Sequence, residues 1–380
     1  MHYKEIALYF LKLGFLGFGG PLALLASYQK DLVEKRKWLS PERFAQGLAL
    51  IKALPGATAT QTAIYLGNVR GGVPGGLIAG TCLIAPSFVM MLCLGVFYTS
   101  VQSLAWSKAL FFGMQSAALG VIVESVWRLS KPYRLEFMFW VMAVLACLLA
   151  TLRPSIEPLV IIGSGLFGIL IMKLTLRSTG QAMLALLPMG LLGGAGVELG
   201  VLKSLTAVFL KAGVFIFGTG LAIVPLLAHD VVETHHWLTQ AQFMDALAFG
   251  QITPGPVLIT STFIGYKVAG IVGAVVATAG VFFPAFFNIL TWFPIAERKF
   301  SKSPYARQFV MFAVGAVVGS IAVAVVRLGM APTSGGTHAL AATIAVAALL
   351  ISLFTKFPVW LVIPCGGLLA AAVNLAVGAG

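Results

Sequence analysis

Apolar runs separated by short polar joints fill the whole chain. Thirteen can be marked off, at 4–28, 44–66, 74–99, 106–127, 135–152, 157–173, 180–200, 202–228, 243–265, 268–293, 307–328, 338–355 and 357–378. Each holds between 17 and 27 residues, which as an α-helix spans or nearly spans a hydrocarbon layer about 30 Å thick. The pattern predicts an all-α integral membrane protein with no separate water-soluble domain. The first run, with Lys4 ahead of it, has the outline of a signal peptide. Its recurrence from Phe209, deep in the chain, reads it as structure instead.

That recurrence extends through the chain. A shift of 199 residues superposes Phe10 on Phe209, Lys12 on Lys211, Gly14 on Gly213, Gly19 on Gly218, Asp31 on Asp230, Glu34 on Glu233, Trp38 on Trp237, Pro55 on Pro254 and Gly56 on Gly255. At a shift of 198 the register continues with Gly67/Gly265, Gly72/Gly270, Gly75/Gly273 and Pro86/Pro284. Two membrane repeats are expected, residues 1–200 and 201–380. Such duplication is the mark of secondary transporters, whose halves enclose a site near the midplane.

Charge sets the halves in opposite directions. The joint after the first run carries Lys30, Lys35, Arg36, Lys37 and Arg43, whereas its counterpart, 229–242, has no Lys or Arg. The positive-inside rule puts these joints on opposite sides, so the repeats are expected to be inverted. The basic joints around Arg128, Lys173, Arg298 and Lys356 belong with the first, on the cytoplasmic side. Thirteen full crossings would leave some of them outside. The conflict disappears if the first two runs of each repeat are broken, re-entrant hairpins and nine runs cross. A scheme in which 4–28 and 202–228 cross and 180–200 does not fits equally.

The breaks have a chemical cause. Gly17-Phe18-Gly19-Gly20-Pro21 and Pro55-Gly56 interrupt the first half, and Gly218-Thr219-Gly220 and Pro254-Gly255-Pro256 the second. Proline removes a backbone donor and glycine releases helical constraint. Unwound backbone at membrane depth persists only where protein or a watery cavity satisfies it. A helix restarting there aims unpaired N–H groups and about half a positive charge at what lies ahead, which suits an anion. Thr58, Thr60, Gln61 and Thr62 follow the first proline break, and Thr260, Ser261 and Thr262 the second, adding neutral donors. Back-bonding to helix carbonyls is their alternative use.

Composition narrows the function. The chain of 380 residues is 59% hydrophobic and 10% charged, with a net charge of +13. The basic residues lie mostly in joints, where they orient a membrane protein, and nucleic acid is not expected as a partner. Cys82, Cys93, Cys147 and Cys365 lie in apolar runs without C-x-x-C spacing, so neither a disulfide framework nor a metal cluster is indicated. No Gly-Lys dipeptide occurs, which removes the phosphate-binding loop of an ATP-driven pump, and no H-E-x-x-H motif marks an enzyme. No cofactor is expected.

Candidate substrate-binding residues are therefore Gly19, Gly20, Pro55, Gly56, Thr58, Gln61, Gly218, Pro254, Gly255, Thr260 and Ser261, with Lys12, Lys52 and Lys211 as cations near the breaks. Glu124 is the first candidate for proton coupling, against a plain ion pair with Arg128 one turn on. Ser40 and Thr239 read as helix caps. His229, His235 and His236 lie in the joint expected to face outside, where a His pair reads as solvated rather than metal-binding. The predicted activity is secondary transport of an oxyanion by alternating access, with a passive anion channel as the alternative. A second copy of the chain is a candidate partner beside the lipid bilayer.

Phe10-x-Lys12-x-Gly14 running on to Phe18-Gly19-Gly20-Pro21, then Trp38-Leu39, Leu54-Pro55-Gly56 and Gly67, resembles the chromate ion transporter family. The resemblance covers nearly the entire chain, including the second-half versions at 217–220 and 253–256. It implies a bacterial inner-membrane protein of two homologous, oppositely oriented halves that exports chromate and is related to sulfate handling. Many members carry histidine where this chain has Leu24, and Pro-Gly-Pro where it has Pro55-Gly56-Ala57.

Overall fold

The structure is a computed structural model that describes residues 2–52, 54–175, 200–216, 220–300, 304–330, 337–355 and 357–378. Gly218 and residues 180–199 of the seventh apolar run lie outside these residues. The described chain is helical, without strands, in the order α1 (His2–Leu16), α2 (Gly20–Tyr28), α3 (Pro41–Ile51), α4 (Thr58–Val101), α5 (Ala105–Ser130), α6 (Phe137–Leu152), α7 (Glu157–Thr175), α8 (Gly200–Val214), α9 (Val224–Leu227), α10 (Gln240–Ile252), α11 (Thr260–Phe287), α12 (Phe293–Phe300), α13 (Pro304–Gly329), α14 (His338–Phe354) and α15 (Val359–Gly378). Among the described residues, six helical stretches are long and apolar enough to cross a membrane: Thr58–Val101, Trp106–Tyr133, Pro154–Leu174, Val257–Ile295, Arg307–Gly329 and Val359–Ala376. Two more, Phe137–Leu152 and His338–Phe354, are apolar but shorter. Leu8, Val144, Leu148, Leu152, Phe283 and Leu368 stand exposed on the outer faces. On a water-soluble protein that much apolar surface would aggregate, whereas against lipid it is the expected exterior.

The first run is two helices, as its glycines predict. α1 stops at Leu16, Gly19 takes a left-handed φ of 100°, and α2 restarts with Pro21 in its first turn. The Ser40 hydroxyl accepts from the Arg43 N–H at 3.3 Å and opens α3. Thr239 and Gln242 form a reciprocal capping box at the start of α10.

α4 is a hairpin of two antiparallel arms. Gly71 and Gly72 leave helical geometry, with Gly72 at φ 64°. Twelve residues of continuous helix would separate Gly67 from Ala79 by about 18 Å. Instead a Cβ on Gly67 would strike the Gly75 carbonyl and the Ala79 side chain. α11 repeats the device at Ala269 and Gly270, with Gly265 against Gly273 and Ala277. The absence of a side chain at these positions is what lets the arms touch.

Packing between the halves is crosswise. α1 packs on α4 and α8 on α11, and α4 and α11 pack on each other. Outside this centre, α5 packs against α14 and α15, while α13 packs against α6 and α7. Each half thus supplies a long helix to the other's outer layer.

Candidate functional site

The proline breaks lie where the halves cross. The Gly56 N–H donates to the Ile216 carbonyl at 2.8 Å, and the Gly255 N–H donates to the Gly17 carbonyl at 3.0 Å. Residues 17 and 216 are themselves repeat equivalents, so one hydrogen bond is made twice with the halves exchanged. Gly56 holds φ at 126° and Gly255 at 94°, conformations that L side chains rarely adopt. The carbonyls of the two break prolines are taken up by side chains. Pro55 O accepts from Gln61 Nε2 at 2.7 Å and from Asn288 Nδ2 at 2.8 Å, and Pro254 O accepts from Ser87 Oγ at 2.7 Å. Asn288 and Ser87 come from the opposite half in each case. These bonds satisfy the unwound backbone from within the fold.

After the breaks, α4 begins at Thr58 and α11 at Thr260, both fully inside the protein. Several hydroxyls there are spent on helix carbonyls: Thr62 on Thr58, Thr253 on Phe249 and Thr260 on Val257. Four polar atoms are left over. Thr60 Oγ1, Gln61 Oε1, Ser261 Oγ and Gln251 Nε2 are buried without a hydrogen-bond partner. Thr60, Gln61 and Ser261 are 0% exposed. An unsatisfied buried polar atom costs about 1–3 kcal/mol, so a cluster at two helix starts calls for a ligand or solvent to relieve it.

The three candidate lysines are placed differently. Lys52 caps the C-terminal end of α3, exposed beside the first proline break. Lys12 lines a cavity of about 610 Å³ with Glu5, Tyr9, Asp31, Lys35 and Arg36, and no break residue lines it. Lys211 Nζ lies 2.6 Å from the Asp230 carboxylate. Glu124 is buried and ion-paired with Arg128, the plain alternative to a coupling role. Gly20 holds φ at 72° at the start of α2. No group of three or more His, Cys, Asp or Glu residues that could hold a metal occurs among the described residues.

Sequence reasoning did not single out Ser87 or Gln251's free amide. It also missed Glu157, 3% exposed at the start of α7. A carboxylate at the edge of an apolar run looks like a joint residue. Only the packing of α13 over it takes it out of water.

A multi-pass helical bundle whose broken helices meet at its centre, with helix starts and unspent polar groups at the breaks, is the build of a membrane transporter. The chain belongs to the chromate transporter family, whose model matches residues 4–169 and 203–371. It is 38% identical over 333 residues to a probable chromate transport protein of Synechococcus elongatus, covering 86% of this chain and 84% of the relative. A chromate transport protein of Cupriavidus metallidurans is 36% identical over 357 residues, covering 91% and 88%. An uncharacterised transporter of Bacillus subtilis aligns over 151 residues at 30% identity, which is 39% of this chain but 75% of that protein. No solved structure matches.

Proposed function

We propose that this chain exports chromate across the bacterial inner membrane as a secondary active transporter, with sulfate as a competing substrate, by alternating access around the proline breaks. The observation that carries this reading is the set of buried, unpartnered atoms on Thr60, Gln61, Ser261 and Gln251 beside two helix starts. A tetrahedral dianion offers many acceptors and needs donors and positive ends around it. Two helix N-termini and neutral donors supply both at partial charge. Gln61 Nε2 is held by Pro55 O, so the free donors here are the Gln251 amide and the Thr60 and Ser261 hydroxyls, which can rotate to donate. Chromate is taken from the names of the relatives, and sulfate from its like charge and shape.

The two repeats, 1–200 and 201–380, are read as inverted. The crosswise hydrogen bonds of Gly56 and Gly255 and the opposite charge of the two joints support that arrangement. Rocking of one half against the other would then open the breaks alternately to each side. Cysteines introduced as Arg36→Cys and His235→Cys should label from opposite faces of intact cells. Labelling from one face would end the inverted reading. For transport, purified protein in liposomes should take up labelled chromate, with sulfate competing and phosphate competing less. Uphill movement should collapse when ion gradients are dissipated. Flux that only ever runs downhill would make the protein a channel.

A further inference from the structure

A second cavity, of about 380 Å³, lies away from the proline breaks, with Glu157, His229, Glu233, Ser320 and Arg327 in its wall. Its mouth is the joint after α9, where Glu233 is exposed, and its floor is Glu157, 3% exposed. Glu157 Oε1 has no hydrogen-bond partner, and neither does Ser320 Oγ, which is 1% exposed on the facing helix α13.

The charges around Glu157 are already matched with one another. Arg327 places one nitrogen 3.7 Å from Glu233 and gives another to the Ala150 and Thr151 carbonyls at 3.1 and 3.2 Å. Lys211, from α8, is taken by Asp230 at 2.6 Å. His229 Nδ1 faces Glu233 at 2.8 Å and its Nε2 faces Ser155 Oγ at 3.2 Å. Arg153, four residues before Glu157, is exposed. With Arg327 set against Glu233 and Lys211 against Asp230, an ionised Glu157 is the charge left over. Such a charge in the protein interior is expensive, and a proton is the smallest species that removes it.

We propose that Glu157 is a proton-binding site of the transporter, loaded through this cavity and emptied to the opposite side of the membrane. This rests on the transport reading above. The step is protonation alone: the carboxylate takes a proton from the cavity to become the neutral acid, and gives it up to the cytoplasmic side once alternating access has turned the site that way. The mouth belongs to the joint without Lys or Arg, so the proton enters from the extracytoplasmic side, the direction that would drive anion export. Ser320 is positioned to accept from the acid or donate to the carboxylate.

Two measurements test this. Dicyclohexylcarbodiimide, an apolar reagent for protonated carboxyl groups, applied to the native protein should leave an adduct on Glu157 that disappears as pH rises, read by peptide mass spectrometry. In liposomes, an imposed pH gradient should accelerate chromate movement by the native protein. Glu157→Gln should lose that acceleration and Glu157→Asp should retain part of it. Chromate counterflow by the native protein, measured without a gradient, reports on the transport reading separately: its absence would sink that reading. With counterflow present, a Glu157→Gln gradient response equal to the native one, or no adduct at Glu157 at any pH, overturns the proposal. The labelling arm needs no substitution, so it decides the matter even if Glu157→Gln fails to fold.

Discussion

Asp31 and Asp230 occupy the same turn in the two halves and keep different company. Both sit in a π-helical turn, Gln29–Lys35 and Ala228–Thr234. In both, the amide five residues on returns to the aspartate carbonyl, Arg36 to Asp31 at 3.1 Å and His235 to Asp230 at 3.0 Å. Lys37 and His236 both hold φ at 51°. The backbone is one design used twice. The partners differ because the side chains around it differ. Asp31 is paired with Lys35 at 3.2 Å, and Arg36 with Glu5 at 3.0 Å. In the second half Thr234 and His235 stand in those places, so Asp230 takes Lys211.

The exchange changes what each cavity offers. Around the first, Lys35 and Arg36 are matched by Asp31 and Glu5, and Lys12 forms no ion pair among the described residues. Around the second, the cations are matched and Glu157 is left over. One concavity carries a surplus cation and the other a surplus acid. The two cavities are not repeat equivalents: the counterparts of Lys12, Asp31, Lys35 and Arg36, at 211, 230, 234 and 235, do not line the second.

The most severe way to break the comparison is at the feature the halves share. Gly56→Leu and Gly255→Leu should each abolish chromate flux in liposomes while the protein still elutes as a single species in detergent. A Cβ at Gly56 would lie 2.5 Å from Gln61 Nε2, and one at Gly255 would strike Ser87 Oγ. Both positions also hold left-handed φ. Native flux from one of the pair would show that its half contributes only a bend.

Next in size is the lysine pair. Lys211→Met leaves Asp230 buried and without its counter-charge, and breaking a buried pair costs about 3 kcal/mol or more. Its thermal unfolding midpoint should fall clearly, and Lys211→Met with Asp230→Asn should recover most of the loss. Lys12→Met, at the equivalent position, removes no ion pair and should shift the midpoint little, within about 0.5 kcal/mol. Equal destabilisation by the two single changes would erase the distinction between the halves.

Much of this was legible in the sequence because it is local or repeated. Glycine and proline name the breaks whatever surrounds them, hydroxyls name the caps at Ser40 and Thr239, and the 199-residue shift names the equivalents. Asp31 was also open to local reading, since Lys35 is one turn away. What depended on the other half was not legible. The bond from Asn288 to Pro55 O spans 233 residues and that from Ser87 to Pro254 O spans 167. No periodicity reports such pairings. The Lys211–Asp230 pair spans 19 residues across a break, and Glu157, at the edge of its apolar run, is covered by α13 from the opposite half; local pattern shows neither.

The smallest expected effect is the most informative about Lys12. Its ammonium is the uncompensated charge of a wide cavity beside the most basic joint of the chain, on the side the positive-inside rule assigns to the cytoplasm. An anion approaching from that side gains from one surplus positive charge there, even where the final site is built of helix ends and hydroxyls. Lys12→Met should therefore weaken the apparent affinity for chromate about tenfold at low ionic strength, which is about 1.4 kcal/mol. The cavity is open to solvent ions, so the difference should shrink as salt is raised toward 1 M, where the screening length falls to about 3 Å. Lys12→Arg should retain most of the affinity, because a 610 Å³ concavity accommodates a guanidinium. An apparent affinity unchanged in Lys12→Met at low salt would make Lys12 an ordinary interfacial lysine. The comparison would then rest on Glu157 alone.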